Sequence, residues 1–304
     1  MLPLALLPLL AVSAPRPVLM FHGVSSGAGE MATLAKEMQS RGIPATSLPL
    51  FQGSVDSLVN LKIQVMDTVK YVRKLVNGPN ASIYANGYDF VCKSQGGLIC
   101  RCVIEEMDDH RVNNFVSLAG PQMGVWGKDF FASLGKDFPV WAQNLTADEI
   151  WRVAYTTPVQ DTLSVSNMWR DPHHTKEFLA HSHFLPEYNG LAPDMPAATL
   201  ARYKGNFLRL RQAVFCVGSG SPYDGGIEPW QSGAFGFVDG SAEGGGKSVP
   251  MAQHAEYSKD LFGLRTLDES GRLNITIVPG VRHADWTGNI DIIQKYVLPW
   301  VGGS

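Results

Sequence analysis

The 304-residue chain predicts a doubly wound α/β domain with a mostly parallel sheet. Three observations carry this. Six short apolar runs rich in β-formers alternate with stretches of helical period, as a sheet covered by helices on both faces requires. Apolar residues make up 45% of the chain and charged residues 17%, enough for one sizeable core. The third apolar run ends in K-S-Q-G-G (Lys93–Gly97), a strand that passes into a helix through a turn too tight for most side chains.

The elements follow in order. Residues 1–14, MLPLALLPLLAVSA, are almost wholly apolar but too short to span a bilayer. They read as a secretory signal with Val12-Ser13-Ala14 as its small-residue cleavage site. Residues 15–304 then form a single domain. Its first strand is Pro17–Phe21, followed by a helix over Glu30–Arg41 and a second strand, Ala45–Leu50. In the next helix Leu58, Leu61, Val65, Val69, Val72 and Val76 recur at steps of three and four, which makes one face. Gly78-Pro79 stops it. Tyr88–Cys92 is the third strand, Gly96–Met107 a helix and Asn114–Leu118 the fourth strand. From about 123 to 204 the alternation breaks, and the interval holds four of the seven tryptophans. An interruption of that length between two sheet strands reads as an inserted helical cap. Strands at Ala213–Gly218 and Asn274–Val278 and a helix over Ile290–Trp300 complete the domain.

Composition narrows the function. A formal charge of −3 predicts no preference for nucleic acid or anionic membrane, and no transmembrane segment is expected. The sequons at Asn80, Asn144 and Asn274 agree with entry into the secretory pathway. The four cysteines read as buried free thiols, because Cys92 and Cys216 lie in strand-like runs and Cys100 and Cys102 face different directions on one helix.

The turn C-K-S-Q-G-G has the form of a nucleophile elbow, in which Ser94 is exposed at the carboxyl edge of the sheet. The residues two before and two after, Cys92 and Gly96, must be small where strand and helix nearly touch. A helix N-cap or a phosphate-binding turn would fit the same letters. A serine nucleophile needs a base and an orienting carboxylate, and on this sheet the chain order is serine, acid, histidine. Of eight histidines, His283 lies in the short loop between the last strand and the last helix. His254 also follows Ser94 but falls inside a predicted helix. Asp224, in a glycine-rich loop after the fifth strand, is the candidate acid, with Glu228 its rival. The oxyanion donors would be the backbone N–H groups of Gln95 and of Val24, the latter in the turn after the first strand. His173, His174, His181 and His183 match no zinc spacing, and G-A-G-E after the first strand is an incomplete dinucleotide fingerprint. No metal or organic cofactor is expected.

These pieces resemble the palmitoyl-protein thioesterases, lysosomal enzymes of the α/β-hydrolase fold. The likeness runs from about Pro17 to Val301. It rests on His22-Gly23, on S-Q-G-G (Ser94 to Gly97) and on S-L-A-G-P-Q-M-G-V-W-G (Ser117 to Gly127). It continues through W-R-D-P (Trp169 to Pro172), S-H-F-L (Ser182 to Leu185) and F-G-F (Phe235 to Phe237). The resemblance implies Asp224 as the acid, with Glu228 at a second acidic site nearby, and His283 as the base. It also implies long-chain acyl thioesters, such as S-palmitoylated proteins or peptides, as substrates, and the lysosome as destination. The residues themselves leave open a lipase or esterase, a short-chain acyl-CoA thioesterase, and a non-catalytic binding protein on the same fold.

Overall fold

The computed structural model describes residues 14–127, 145, 147–219, 227–242 and 245–303. Six strands form one sheet: β1 (Val18–Phe21), β2 (Ala45–Ser47), β3 (Tyr88–Lys93), β4 (Val112–Leu118), β5 (Gln212–Ser219) and, after a small hairpin of β6 (Phe237–Val238) and β7 (Ser248–Val249), β8 (Leu273–Pro279). Their order is β2-β1-β3-β4-β5-β8, and every neighbouring pair is parallel. This is the doubly wound sheet of an α/β-hydrolase. The order reverses at β1, so the carboxyl ends of β1 and β3 share the crevice where such sheets hold their ligands.

Strand periodicity divides the core in two. Leu19, Phe21, Phe90, Cys92, Phe115 and Phe215 point to one face and pack with α3 (Leu61–Val76) and α4 (Gln95–Glu106). Val18, Met20, Val91, Val116 and Val214 point to the other, against α1 (Ala32–Gln39) and the C-terminal segment through Ile293 and Val297. Burial on both sides explains why these strands are apolar on both faces rather than alternating apolar and polar.

Four expectations are corrected in detail. The helix expected to include Leu58 is two pieces, α2 (Gly53–Asp56) and α3. Asn60 separates them because its Oδ1 accepts from the N–H groups of Lys62 (2.8 Å) and Ile63 (3.3 Å), capping α3. The second strand stops at Ser47 rather than Leu50. The final helix runs as one α-turn (Ile290–Ile292), a π-segment (Ile293–Val297) and a 3-10 turn (Leu298–Trp300). Pro299 has no N–H and crowds the carbonyl four residues back, so a regular ladder does not continue through it. Finally, Cys92 and Cys100 form a disulfide, with Cα atoms 6.5 Å apart. The tight elbow folds α4 back along β3 and returns Cys100 to Cys92, whereas Cys102 and Cys216 are buried free thiols as expected.

Between β4 and β5, helices occupy Ala147–Ala154, Thr157–Gln160, Ser164–Met168, Thr175–His181, Leu185–Tyr188 and Ala197–Phe207. A buried guanidinium ties the end of one of them, Leu185–Tyr188, to α4. Arg101 donates from Nε to Gln122 Oε1 (2.8 Å), from Nη1 to Glu105 (2.9 Å) and the Tyr188 carbonyl (3.1 Å), and from Nη2 to Asn189 Oδ1 (2.7 Å). With its donors spread over four partners, this side chain fixes the register between layers.

Candidate active site

Ser94 stands between the last residue of β3 and the first of α4 with φ 54° and ψ −130°. A non-glycine residue at positive φ is strained and persists only where its surroundings hold it. Here Ser94 N–H donates to the Leu118 carbonyl (2.8 Å), and Gly97 N–H donates to the Ser94 carbonyl (2.8 Å). The glycines are needed for space. A Cβ on Gly96 would press into the His22 carbonyl oxygen and lie 2.7 Å from that of Phe21, and one on Gly97 would lie 2.5 Å from Ser117 Oγ. Thus H-G after β1, S-Q-G-G after β3 and S-L-A-G at the end of β4 meet at one point.

Beside Ser94 runs the turn His22–Ser25. A Cβ on Gly23 would sit 3.0 Å from Ser94 Cβ and 3.4 Å from its Oγ. Gly23 N–H donates to Glu30 Oε2 (2.9 Å), and Ser25 N–H donates to Ser57 Oγ (2.8 Å). Among the described residues, nothing accepts from the N–H of Val24 or of Gln95. Both are the donors predicted for an oxyanion. The Gln95 side chain turns away and donates to the Ser57 carbonyl (2.8 Å).

The electrostatics of this rim centre on a pair that the sequence did not signal. Lys93 Nζ donates to Glu30 Oε1, the two residues lying sixty-three apart. Burial pushes the Glu30 carboxyl up, but the Lys93 charge, the Gly23 N–H and His283 outweigh it and hold the group below its ordinary range. His283 is half-buried in the loop after β8, close enough to Glu30 to bear on its ionisation. Ser94, Glu30 and His283 therefore share one rim.

Asp224 lies outside the described residues. Its rival Glu228 leans on the segment after β4: its carbonyl accepts from Trp126 N–H (2.6 Å), and a Cβ on Gly127 would collide with its carboxylate. His254 is the residue that caps a short helix (Ala255–Ser258) rather than one inside it, with Nε2 3.2 Å from the Val249 carbonyl. Of the other histidines, His174 stacks on Trp151 with ring centroids 4.1 Å apart, and His183 Nδ1 lies 3.0 Å from Asp161 Oδ1. Among the described residues, no three potential metal ligands converge.

A parallel six-stranded sheet with a serine on a strained strand-to-helix elbow defines an α/β-hydrolase. Comparison with known proteins narrows the class. A family model described as palmitoyl protein thioesterase matches residues 17–283. The chain is 34% identical over 289 residues to lysosomal thioesterase PPT2-B of Xenopus laevis, covering 94% of this chain and 92% of that protein. It is 34% identical over 308 residues to lysosomal thioesterase PPT2 of Homo sapiens, covering 98% and 94% respectively. Palmitoyl-protein thioesterase 3 of Dictyostelium discoideum is 33% identical over 86% of this chain and 83% of its own. The chain belongs to the palmitoyl protein thioesterase family.

Proposed function

We propose that the protein hydrolyses long-chain acyl thioesters through an acyl-Ser94 intermediate, acting on S-acylated cysteines of proteins or peptides in the lysosome. Kinship supports the substrate and the compartment. The observation that carries the chemistry is the strained Ser94 held beside two N–H groups that have no acceptor among the described residues.

The steps follow from the groups on the rim. His283 accepts the Ser94 proton as Oγ attacks the thioester carbonyl, and negative charge builds on the carbonyl oxygen. Val24 N–H and Gln95 N–H receive that charge; losing one such donor costs a rate factor of about a hundred to a thousand. The carbon–sulfur bond breaks, and His283 returns its proton to the departing thiolate. Water then attacks the acyl-serine carbonyl as His283 takes its proton, the acyl–Oγ bond breaks, the proton passes to Ser94 and the fatty acid leaves. Asp224 holds His283 in the tautomer that leaves Nε2 free. The interval of about 123–204 is the proposed cap, and its aromatic side chains offer a wall for the acyl chain. Each buried methylene is worth about 0.8 kcal/mol, so shortening the chain by two carbons lowers kcat/KM by about ten-fold.

The test is Ser94→Ala against a palmitoyl thioester. The expected variant folds and releases no burst of thiol; retained turnover would refute the assignment. Parallel assays with the oxygen ester and with short acyl chains separate a thioesterase for long chains from a lipase or a short-chain enzyme.

A further inference from the structure

The turn that would supply Val24 N–H is clamped on both sides, by Glu30 at Gly23 and by Ser57 at Ser25. The first clamp is charged, and it reaches the elbow itself, because the partner of Glu30 is Lys93, the residue immediately before the nucleophile. We propose that Glu30 is a positioning residue for the hydrolysis: tied to Lys93, its carboxylate fixes the Gly23 peptide against Ser94 and so aims the next N–H, that of Val24, at the carbonyl oxygen under attack. The inference rests on Ser94 being the nucleophile.

Three observations carry it. Glu30 Oε2 would lie 3.6 Å from a Cβ on Gly23 that is itself 3.4 Å from Ser94 Oγ, so carboxylate, turn and nucleophile form one cluster. One oxygen of Glu30 serves the oxyanion turn while the other serves the elbow, which locks the two halves of the site to each other. Lys93 is 4% exposed and Glu30 20% exposed, and an ion pair so placed adds little net stability over apolar neighbours of the same size. Its value lies in geometry. Lys93 and, more weakly, His283 are charged or titratable groups that act on Glu30. A tilt of the Gly23 peptide would turn the Val24 N–H away, and donors must lie within about 0.5 Å of their productive position.

The test compares Glu30→Ala and Glu30→Gln with the parent. Thioester turnover is measured alongside inhibition by a long-chain trifluoromethyl ketone, whose serine adduct carries an oxyanion. For Glu30→Ala we expect kcat lower by about ten- to a hundred-fold, KM within about two-fold, and ketone affinity weaker by the same factor as kcat/KM. Glu30→Gln keeps an oxygen for Gly23 and recovers most of the loss. Parent-like kcat and ketone affinity in Glu30→Ala, or a Glu30→Gln variant no better than Glu30→Ala, would overturn the proposal. Should Glu30→Ala fail to fold, Glu30→Gln combined with Lys93→Met leaves no buried ion unpaired. That pair keeps an acceptor for Gly23 but loses the tie to the elbow, so kcat and ketone affinity are expected to fall together by about ten-fold, and parent-like values of both would overturn the proposal. Ser94→Ala in the same assays separates the two readings: if it is inactive while Glu30→Ala is parent-like, only the positioning role falls.

Discussion

Glu105 and His110 stand at the end of α4 and just beyond it, and burial acts on them in opposite directions. Burial pushes the Glu105 carboxyl up to about 7 from 4.5, overcoming the pull of Arg101. Burial pushes the His110 imidazole down to about 4 from 6.5. The hydrogen bonds match a neutral ring: Val112 N–H donates to Nδ1 (3.2 Å), which leaves Nε2–H to donate to the Asn206 carbonyl (2.9 Å). Between the two carboxyl values the folded chain keeps a proton on Glu105 that the unfolded chain has released. Stability therefore falls as pH rises from about 4.5 to about 7, by about 3 kcal/mol in all at ~1.4 kcal/mol per pH unit. Between about pH 4 and 6.5 the unfolded chain carries a proton on His110 that the folded chain lacks, so stability rises with pH by a similar amount. Over the shared acidic window the two slopes cancel. Glu105→Gln removes one slope: relative to the parent, it gains about 3 kcal/mol from about pH 4 to pH 7.5. His110→Gln removes the other, with a relative gain of the same size in the opposite direction. Urea midpoints followed by tryptophan fluorescence at half-unit pH steps would read both. Variant curves running parallel to the parent at every pH would refute the reasoning.

Three further outcomes are expected. Replacing Cys92 and Cys100 together by alanine should cost about 2–3 kcal/mol by urea unfolding, the entropy of closing a loop this short; parent-like stability would contradict the pairing. Gly96→Ala puts a methyl group into the His22 carbonyl, so acyl-enzyme formation should fall at least about a hundred-fold while the fold persists, as judged by circular dichroism and a single-turnover assay. On protein from a secretory host, a glycan is expected at Asn80, which is exposed, and not at Asn274, which is half-buried in β8 and accepts from the Thr276 hydroxyl (2.7 Å). Peptide mapping of Asn80→Gln and Asn274→Gln reads the difference.

The sheet was legible because strands buried on both faces need apolar centres, and Phe90–Cys92 in β3 and Ala213–Val217 in β5 supply them. Ser94, Gly96 and the H-G turn were legible because close packing admits few residue types there. Helix boundaries were less so. The apolar period runs through Leu58, yet a single capping oxygen on Asn60 outweighs it. The Cys92–Cys100 bond was not legible because its partners lie in a strand and a helix that meet only where the elbow folds one onto the other. Lys93–Glu30 had no local signal at all, because its partners are sixty-three residues apart. Contacts of that kind exist only once the sheet is assembled.

Intact-mass analysis after treatment with a fluorophosphonate reads the central claim most directly, because it reports an activated serine without reference to substrate. One adduct is expected on the parent, mapped to Ser94, absent from Ser94→Ala and strongly slowed in His283→Ala. An adduct on another residue, or labelling of Ser94 at an undiminished rate without His283, would contradict the account.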